Sequence, residues 1–493
     1  MAKASYVKPE SKEKDSVQFQ TKPRFTNIIG YASRWSTIPY LPINIELSQV
    51  SLASTPVKQA DEAPDQPGGG MQVTTGTGGT VVRFEPSSKQ KGIVALSKTG
   101  LKVASMSDFE DVGFAAMVQA DPDVLYVERF GIAIVRPGAN QALPRLRSRE
   151  SVVSTRPERI YHILGAASQK RAVSGLSRDY LLGYKTGMAA TIDHILAQTD
   201  SQTALSSSVS FDESVATWGI QAINAAASHY SGVGVRLAVL DTGFDLNHAD
   251  FAGRSIVSKS FIVGQDVQDG HGHGTHTAGT ACGPQKPASQ PRYGVAYSAD
   301  MVIGKALSDS GYGTDSSIIP AMSWALDQKS DIISMSLGTS VGIGEAVIDD
   351  YEHIAQVCLD AGCVVIAAAG NESRRPGYIA PVGSPANCPS VTAVGAIDSS
   401  FAMYVFSDGS VNTGQSIAVV GPGVNVLSAW TGGGYARLDG TSMATPHVAG
   451  VAALFAEGDP QNRGRVLLNL ISQHIRALPL PATDVGMGLV QAP

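Results

Sequence analysis

Read for where apolar and polar residues fall, the chain changes texture three times. Residues 1–80 sustain no period. Pro, Gly and Asp punctuate residues 61–70 (DEAPDQPGGG), and glycines cluster in 74–80, which predicts a flexible leader. Residues 81–136 are different. The stretch 81–84 alternates as a strand does, 108–119 has helical spacing, and 124–135 (VLYVERFGIAIV) reads as one or two strands, together a small α+β unit. Residues 137–159 lose the period and carry Arg145, Arg147, Arg149, Arg156 and Arg159. That stretch reads as a solvated linker, and with helical segments in 159–199 it fills residues 137–205.

From Trp218 onward the texture is α/β. Apolar, β-branched runs at 235–240, 301–307, 332–337, 364–369 and 391–396 alternate with helical stretches such as 318–328 and 346–361. Strands that are apolar along their whole length, separated by helices, imply a mainly parallel sheet covered on both faces. The expected architecture is a three-layer α/β/α domain over residues 206–493, preceded by the small α+β unit. Ligand sites in such sheets lie beyond the carboxyl ends of the strands.

Composition adds bounds. Of 493 residues 43% are apolar and 16% charged, enough for a large core and too few charges for wholesale disorder. A formal net charge of −6 gives no reason to expect a nucleic-acid partner. No apolar run has the length of a membrane span. The first twenty residues contain no apolar core of a secretory signal, so the expected location is cytoplasmic, with leaderless export as the other route. Cys282, Cys358, Cys363 and Cys388 lack zinc-ribbon spacing and are expected as four buried thiols. The glycines of TGTGGT (75–80) are followed by no phosphate-binding lysine.

Three distant segments carry complementary chemistry. VLDTG (239–243) puts Asp241 at the end of a buried strand. HGHGTHTAG (271–279) puts imidazoles where small residues open a helix, and GTSMATPH (440–447) puts Ser442 at a second helix start. A serine hydroxyl needs an imidazole to take its proton and a carboxylate to orient that imidazole. Asn371, just after the run 364–369, is placed to offer its amide to an oxyanion, with the Ser442 N–H as second donor.

The segments VLDTGFDLNHADF, GHGTHTAG, AAAGNES and GTSMATPHVAG resemble the four signature segments of the subtilisin-like serine peptidases, in that family's order of Asp, His, Asn and Ser. The resemblance covers Trp218 to the terminal GMGLV (486–490). It implies a serine endopeptidase acting on proteins or peptides through an acyl-enzyme, with Asp241, His273 and Ser442 as triad and Asn371 as oxyanion donor. It makes His271 and His276 neighbours rather than catalytic groups. It further implies an extended substrate held between Gly311, Tyr312 and Gly313 on one side and Ser336, Leu337 and Gly338 on the other. Gly383 would floor the pocket for the residue before the cut, with Glu372 at its rim, predicting a large apolar or long-stemmed residue there. Asp315 falls where many members carry an aromatic lid over the fourth-residue pocket, beside Ile318. A bulky aromatic is therefore expected to be disfavoured in that pocket and a basic residue tolerated.

Residues 81–135 resemble, more faintly, the family's inhibitory propeptide, which implies a self-processing precursor; a permanent accessory domain is the alternative. The polar stretch 197–214 is the expected cut site. No cofactor is expected. Asp250 matches a frequent calcium ligand of the family, but the loop 283–292 (GPQKPASQPR) has no acidic residue, and Ala418 stands where a second cation site often has aspartate. Two rival readings use the same residues. His271, His273 and His276 are similar to the HxHxDH zinc motif of metallo-β-lactamase-like hydrolases, with Thr275 where that motif needs aspartate. A catalytically silent protein of the same fold is the other. Oligomeric state is not written in the sequence.

Overall fold

The computed structural model describes residues 76–85, 89–109, 121–147, 151–164 and 210–493. The leader up to residue 75, most of the helical spacing at 108–119 and the segment 165–209 lie outside the described residues.

Among the described residues the amino-terminal unit contributes five strands to one sheet, with a helix at 89–97 and a shorter one at 143–147. Its strands are β1 (Gly76–Phe84), β2 (Val103–Ser105), β3 (Val124–Val127), β4 (Ile132–Val135) and β5 (Val152–Ile163), in the order β5-β1-β4-β3-β2. The expected run 124–135 is thus a hairpin, β3 antiparallel to β4, turning at Gly131 with φ 63°. Period-2 alternation divides its side chains between two cores. Val82, Phe84, Val124, Tyr126, Ala133 and Val135 pack on Leu96 of helix α1 (Lys89–Ser97) and on Leu143 and Leu146. Val81, Leu125, Val127, Ile132 and Ile134 face the other way and join the core of the second domain. The sheet is therefore buried on both faces.

The linker expected over 137–205 is corrected in its first part. Residues 143–147 form a short helix, and β5 is a twelve-residue strand pairing antiparallel with β1. Its sequence, VVSTRPERIYHI, hides the strand because its charged positions are neutralised by another domain.

The second domain has the expected three layers. Its strands are β6 (Arg236–Asp241), β7 (Ile256–Ser260), β8 (Asp300–Lys305), β9 (Tyr312–Thr314), β10 (Ile332–Met335), β11 (Leu337–Gly338), β12 (Val364–Ala368), β13 (Thr392–Ile397), β14 (Val419–Pro422), β15 (Val426–Trp430), β16 (Gly434–Leu438), β17 (Ile475–Arg476) and β18 (Leu489–Val490). Nine of them form one sheet in the order β17-β18-β14-β13-β12-β10-β6-β8-β7, parallel except for β17 against β18. Its main helices are α2 (His273–Cys282), α3 (Asp315–Asp327), α4 (Asp349–Asp360), α5 (Thr441–Gly458) and α6 (Gly464–Gln473). β10, β12 and β13 are buried at every position, as continuous apolar runs require.

The four cysteines are free and buried; burial pushes the Cys282 and Cys358 thiols up to about 12. Among the described residues no helix is long and apolar enough to cross a membrane.

Candidate active site

Strand β6 ends on Asp241, and helix α2 begins on His273. His273 Nδ1 lies 2.7 Å from Asp241 Oδ1, both residues being buried. The carboxylate is itself fixed: Oδ1 accepts from Thr242 N at 2.7 Å and Oδ2 from Thr277 Oγ1 at 3.1 Å. Asp269 positions the start of α2. Its carboxylate accepts from the backbone N–H of His271, Gly272 and Thr275 and from the hydroxyls of Thr242 and Thr275. Asp269 is not among the site residues expected from the sequence, although an aspartate just ahead of a helix start is a capping signal. Gly272, the residue before His273, has φ 107° and lies against Trp430, so no side chain fits there.

Ser442 is the second residue of α5, at its positively polarised end. Its Oγ donates to Ser336 O at 3.1 Å, while His273 Nε2 has no hydrogen-bond partner among the described residues. Hydroxyl and imidazole are therefore not hydrogen-bonded to each other in this arrangement. Asn371 follows β12 and faces the same space. Thr441 N and Thr441 Oγ1 each donate to Asn371 Oδ1 at 3.0 Å, which turns the amide nitrogen outward. That Nδ2 donates to the carbonyl of Leu164.

Leu164 arrives on β5, the strand shared between the two domains. Its first part pairs with β1, and its last part lies between β9 and β11. Ile160, Tyr161 and His162 pair antiparallel with Thr314, Gly313 and Tyr312, and His162 and Ile163 pair with Gly338 and Leu337. Ile163 N donates to Gly311 O at 3.0 Å and Leu164 N to Ser336 O at 3.4 Å. The two edges expected to hold a peptide thus hold the chain's own β5. Leu164 packs its side chain against Gly338. Gly383 N donates to Ala369 O at 2.7 Å, and Glu372 Oε2 accepts from Asn371 N at 2.9 Å.

Near Asp315, expected beside the fourth-residue pocket, the chain places its own Tyr161. Tyr161, three residues before Leu164, is fully buried with its ring edge-on to Tyr351 at 5.5 Å, so this strand puts an aromatic where one was expected to be disfavoured. The reason lies in Asp315. This fully buried carboxylate turns to Arg156 at 2.7 Å, to Arg159 N at 2.8 Å and to Tyr351 Oη at 2.9 Å, and Ile318 is buried in the same core cluster as Tyr161. Asp350, 2% exposed, takes Arg83 at 3.0 Å, Arg156 at 2.8 Å and Ser154 Oγ at 2.7 Å. Burial alone would lower the Arg156 pKa, but the Asp315 and Asp350 carboxylates outweigh it and raise it. Arg159 pairs with Glu345 at 2.7 Å. Glu158 accepts from Ser316 N at 2.9 Å, closing the amino terminus of α3. Arg156 and Arg159, read from sequence as solvated, are interdomain contacts instead; the side chains of Arg145, Arg147 and Arg149 lie outside the described residues.

The three histidines do not converge. His276 Nε2 contacts Val426 O at 3.0 Å and Ala436 O at 3.2 Å, and burial lowers its pKa to about 3. Among the described residues no cluster of three His, Cys, Asp or Glu side chains could hold a metal. At Asp250, Oδ1 accepts from Ala288 N at 2.8 Å, and Oδ2 from Tyr293 Oη at 2.6 Å and Tyr435 Oη at 3.0 Å. Proton donors from the 283–292 loop and two tyrosines surround this carboxylate, a set that does not fit a calcium ion.

Comparison with known proteins decides the ancestry: the pattern described as "Subtilase family" matches residues 232–488, just over half of the chain. The chain belongs to the subtilase family. It is 40% identical over 248 residues to subtilisin E of Bacillus subtilis, covering 49% of this chain and 61% of that protein. It is 37% identical over 257 residues to subtilisin DY of Bacillus licheniformis, covering 51% and 88%. To the alkaline elastase YaB of a Bacillus strain it is 37% identical over 279 residues, covering 56% and 68%. This subtilase thus matches about three fifths of the length of subtilisin E.

Proposed function

We propose that the chain is a serine endopeptidase that first cuts itself, at the bond following Leu164. The observation that carries this reading is the Leu164 carbonyl beneath the Asn371 amide, on a strand paired on both sides in the cleft. In the proposed reaction Ser442 turns from Ser336 O toward His273 Nε2, gives that nitrogen its proton and attacks the carbonyl carbon. Asp241 holds the imidazole by Nδ1 and stabilises the imidazolium. The oxyanion meets Asn371 Nδ2 and the Ser442 N–H. As the C–N bond breaks, His273 passes the proton to the leaving amine; water then releases the acyl group by the same route.

The amino-terminal unit acts in this reading as an occupant of the cleft. After the cut, Leu164 is left as a bound carboxyl terminus, held in place by the contacts of Asp315, Asp350 and Glu345. A cut within 197–214 is then a separate, later event. Substrates are proteins or peptides with a large apolar residue before the bond, as Leu164 is. Proton donors fill the Asp250 position, so little dependence on calcium is proposed. A fluorophosphonate probe tests the reading: it should label Ser442 in the processed protein and fail on Ser442→Ala. A processed wild type that turns over peptides but resists the probe would overturn it.

A further inference from the structure

A second pair of carboxyl groups lies directly behind the oxyanion donor. Asp408 is 1% exposed. Its Oδ1 accepts from Glu372 N at 3.0 Å and from Ser373 N and Ser373 Oγ at 2.8 Å each, while Asp408 N donates to Gly370 O at 3.2 Å. One aspartate thus fastens the turn from Gly370 to Ser373, in which Asn371 sits. Its other oxygen, Oδ2, is buried and has no donor among the described residues. Instead it meets a second acceptor. A Cβ at Gly370 would collide with Asp408 Oδ2 and lie 2.8 Å from Glu372 Oε2, so both oxygens flank one point above the glycine. Gly370, with φ 126°, leaves the space they fill.

Two ionised carboxylates facing each other at a buried position, one oxygen with no donor, would be strongly unfavourable. One proton removes both problems. Resting on the peptidase reading above, we propose that Asp408 is a positioning residue for the oxyanion donor: protonated at Oδ2, it donates to Glu372 Oε2, and the acid–carboxylate pair holds the Gly370–Asn371–Glu372–Ser373 turn in register. Glu372 Oε2 in turn accepts from Asn371 N at 2.9 Å. Asn371 is fixed through its backbone by this pair and through its side chain by Thr441.

The other charged groups nearby have contacts of their own. Arg374 donates to Asn371 O at 3.2 Å and to Ser373 O at 2.5 Å. Arg375 donates to Ser407 O at 2.8 Å and pairs with Asp484 at 2.9 Å. Burial, reinforced by Glu372, accordingly pushes the Asp408 carboxyl up to about 9. Above that pH the pair carries two charges, the turn opens and the amide leaves its place. An oxyanion donor acts in the transition state, so the loss falls on kcat and leaves KM nearly constant.

The experiment has two arms. In the full chain carrying Ser442→Ala, infrared spectroscopy should show a protonated carboxylic acid at neutral pH. That band should vanish near pH 9 and be missing when Asp408→Asn is added. In the active protein, Asp408→Ala should lower kcat roughly 10–10²-fold with little change in KM. Asp408→Asn, whose amide can donate to Glu372, should restore most of kcat and abolish the alkaline fall near pH 9. Absence of the neutral-pH band overturns the shared proton. An alkaline limb that Asp408→Asn leaves in place, or a loss confined to KM, overturns the positioning role. Absence of all turnover in wild type would overturn the peptidase reading and the positioning role with it, while the infrared arm still decides the shared proton.

Discussion

The two domains carry their structure in the sequence in different ways. In the subtilase domain each central strand is an apolar run whose neighbours belong to the same unit, and β10, β12 and β13 are buried throughout. In the amino-terminal unit the decisive element is β5, which carries Arg156, Glu158 and Arg159 in its middle. Those charges meet Asp315, Asp350, Ser316 and Glu345 on the other domain. A strand whose charges are met by a neighbouring domain carries a pattern that looks irregular when read on its own. The comparison teaches that the subtilase domain is built around its own core, whereas β5 is built around the cleft.

The widest break in that comparison comes from removing the chemistry. Ser442→Ala or His273→Ala should lower peptide turnover by about 10⁵-fold or more, because nucleophile and base act as a unit. Asn371→Ala should cost roughly 10²–10³-fold in kcat, and His271→Ala should keep most of the activity. Steady-state kinetics on a fluorogenic peptide checks all four. Equal losses for His271→Ala and His273→Ala would contradict the assignment.

The next break separates the domains without touching the chemistry. Arg156→Ala leaves buried Asp315 without its guanidinium and buried Asp350 with that of Arg83 alone, a loss of about 3 kcal/mol, or roughly a hundredfold weaker hold on the cleaved amino-terminal unit. Activity should then appear earlier after synthesis, and size-exclusion chromatography should find less of the fragment still bound. Asp315→Asn combined with Arg156→Ala should cost less than the sum of the two changes. A smaller effect is expected at Leu164. Leu164→Ala removes part of the side chain against Gly338 and should slow the first cut about tenfold, read as the half-time of full-length chain on a gel.

The smallest effect concerns pH. Folded Asp408 keeps its proton up to about pH 9, whereas the unfolded chain releases it near pH 4. Between these values the unfolded state binds fewer protons, so this group's contribution to stability is present at acid pH and falls as pH rises toward 9. Asp408→Asn in the Ser442→Ala background should therefore gain in Tm relative to its parent as pH rises from 4 to 9. A Tm difference that is constant across that window would contradict it.

Much of the site was legible. Asp241, His273, Asn371 and Ser442 stand in segments whose small neighbours are required by close approach, as Gly272 against Trp430 shows. The edges Gly311–Gly313 and Ser336–Gly338 were legible through resemblance alone, since nothing in a short strand edge says what it will hold. Arg156 was not legible, because its partners lie 159 and 194 residues away. Nor was the direction of Asp315: the sequence placed it beside the fourth-residue pocket, and only packing shows its carboxylate turned to Arg156 and the ring of Tyr161 in the space beside it.

The central claim is that β5 lies in the cleft as a substrate does, with the bond after Leu164 poised beneath Asn371. Intact-mass and terminal-peptide mass spectrometry of wild type beside Ser442→Ala tests it most directly. The account predicts an amino-terminal fragment ending at Leu164 in wild type and none in Ser442→Ala. A wild type cut only elsewhere, or a Ser442→Ala protein cut after Leu164 at the wild-type rate, would contradict it.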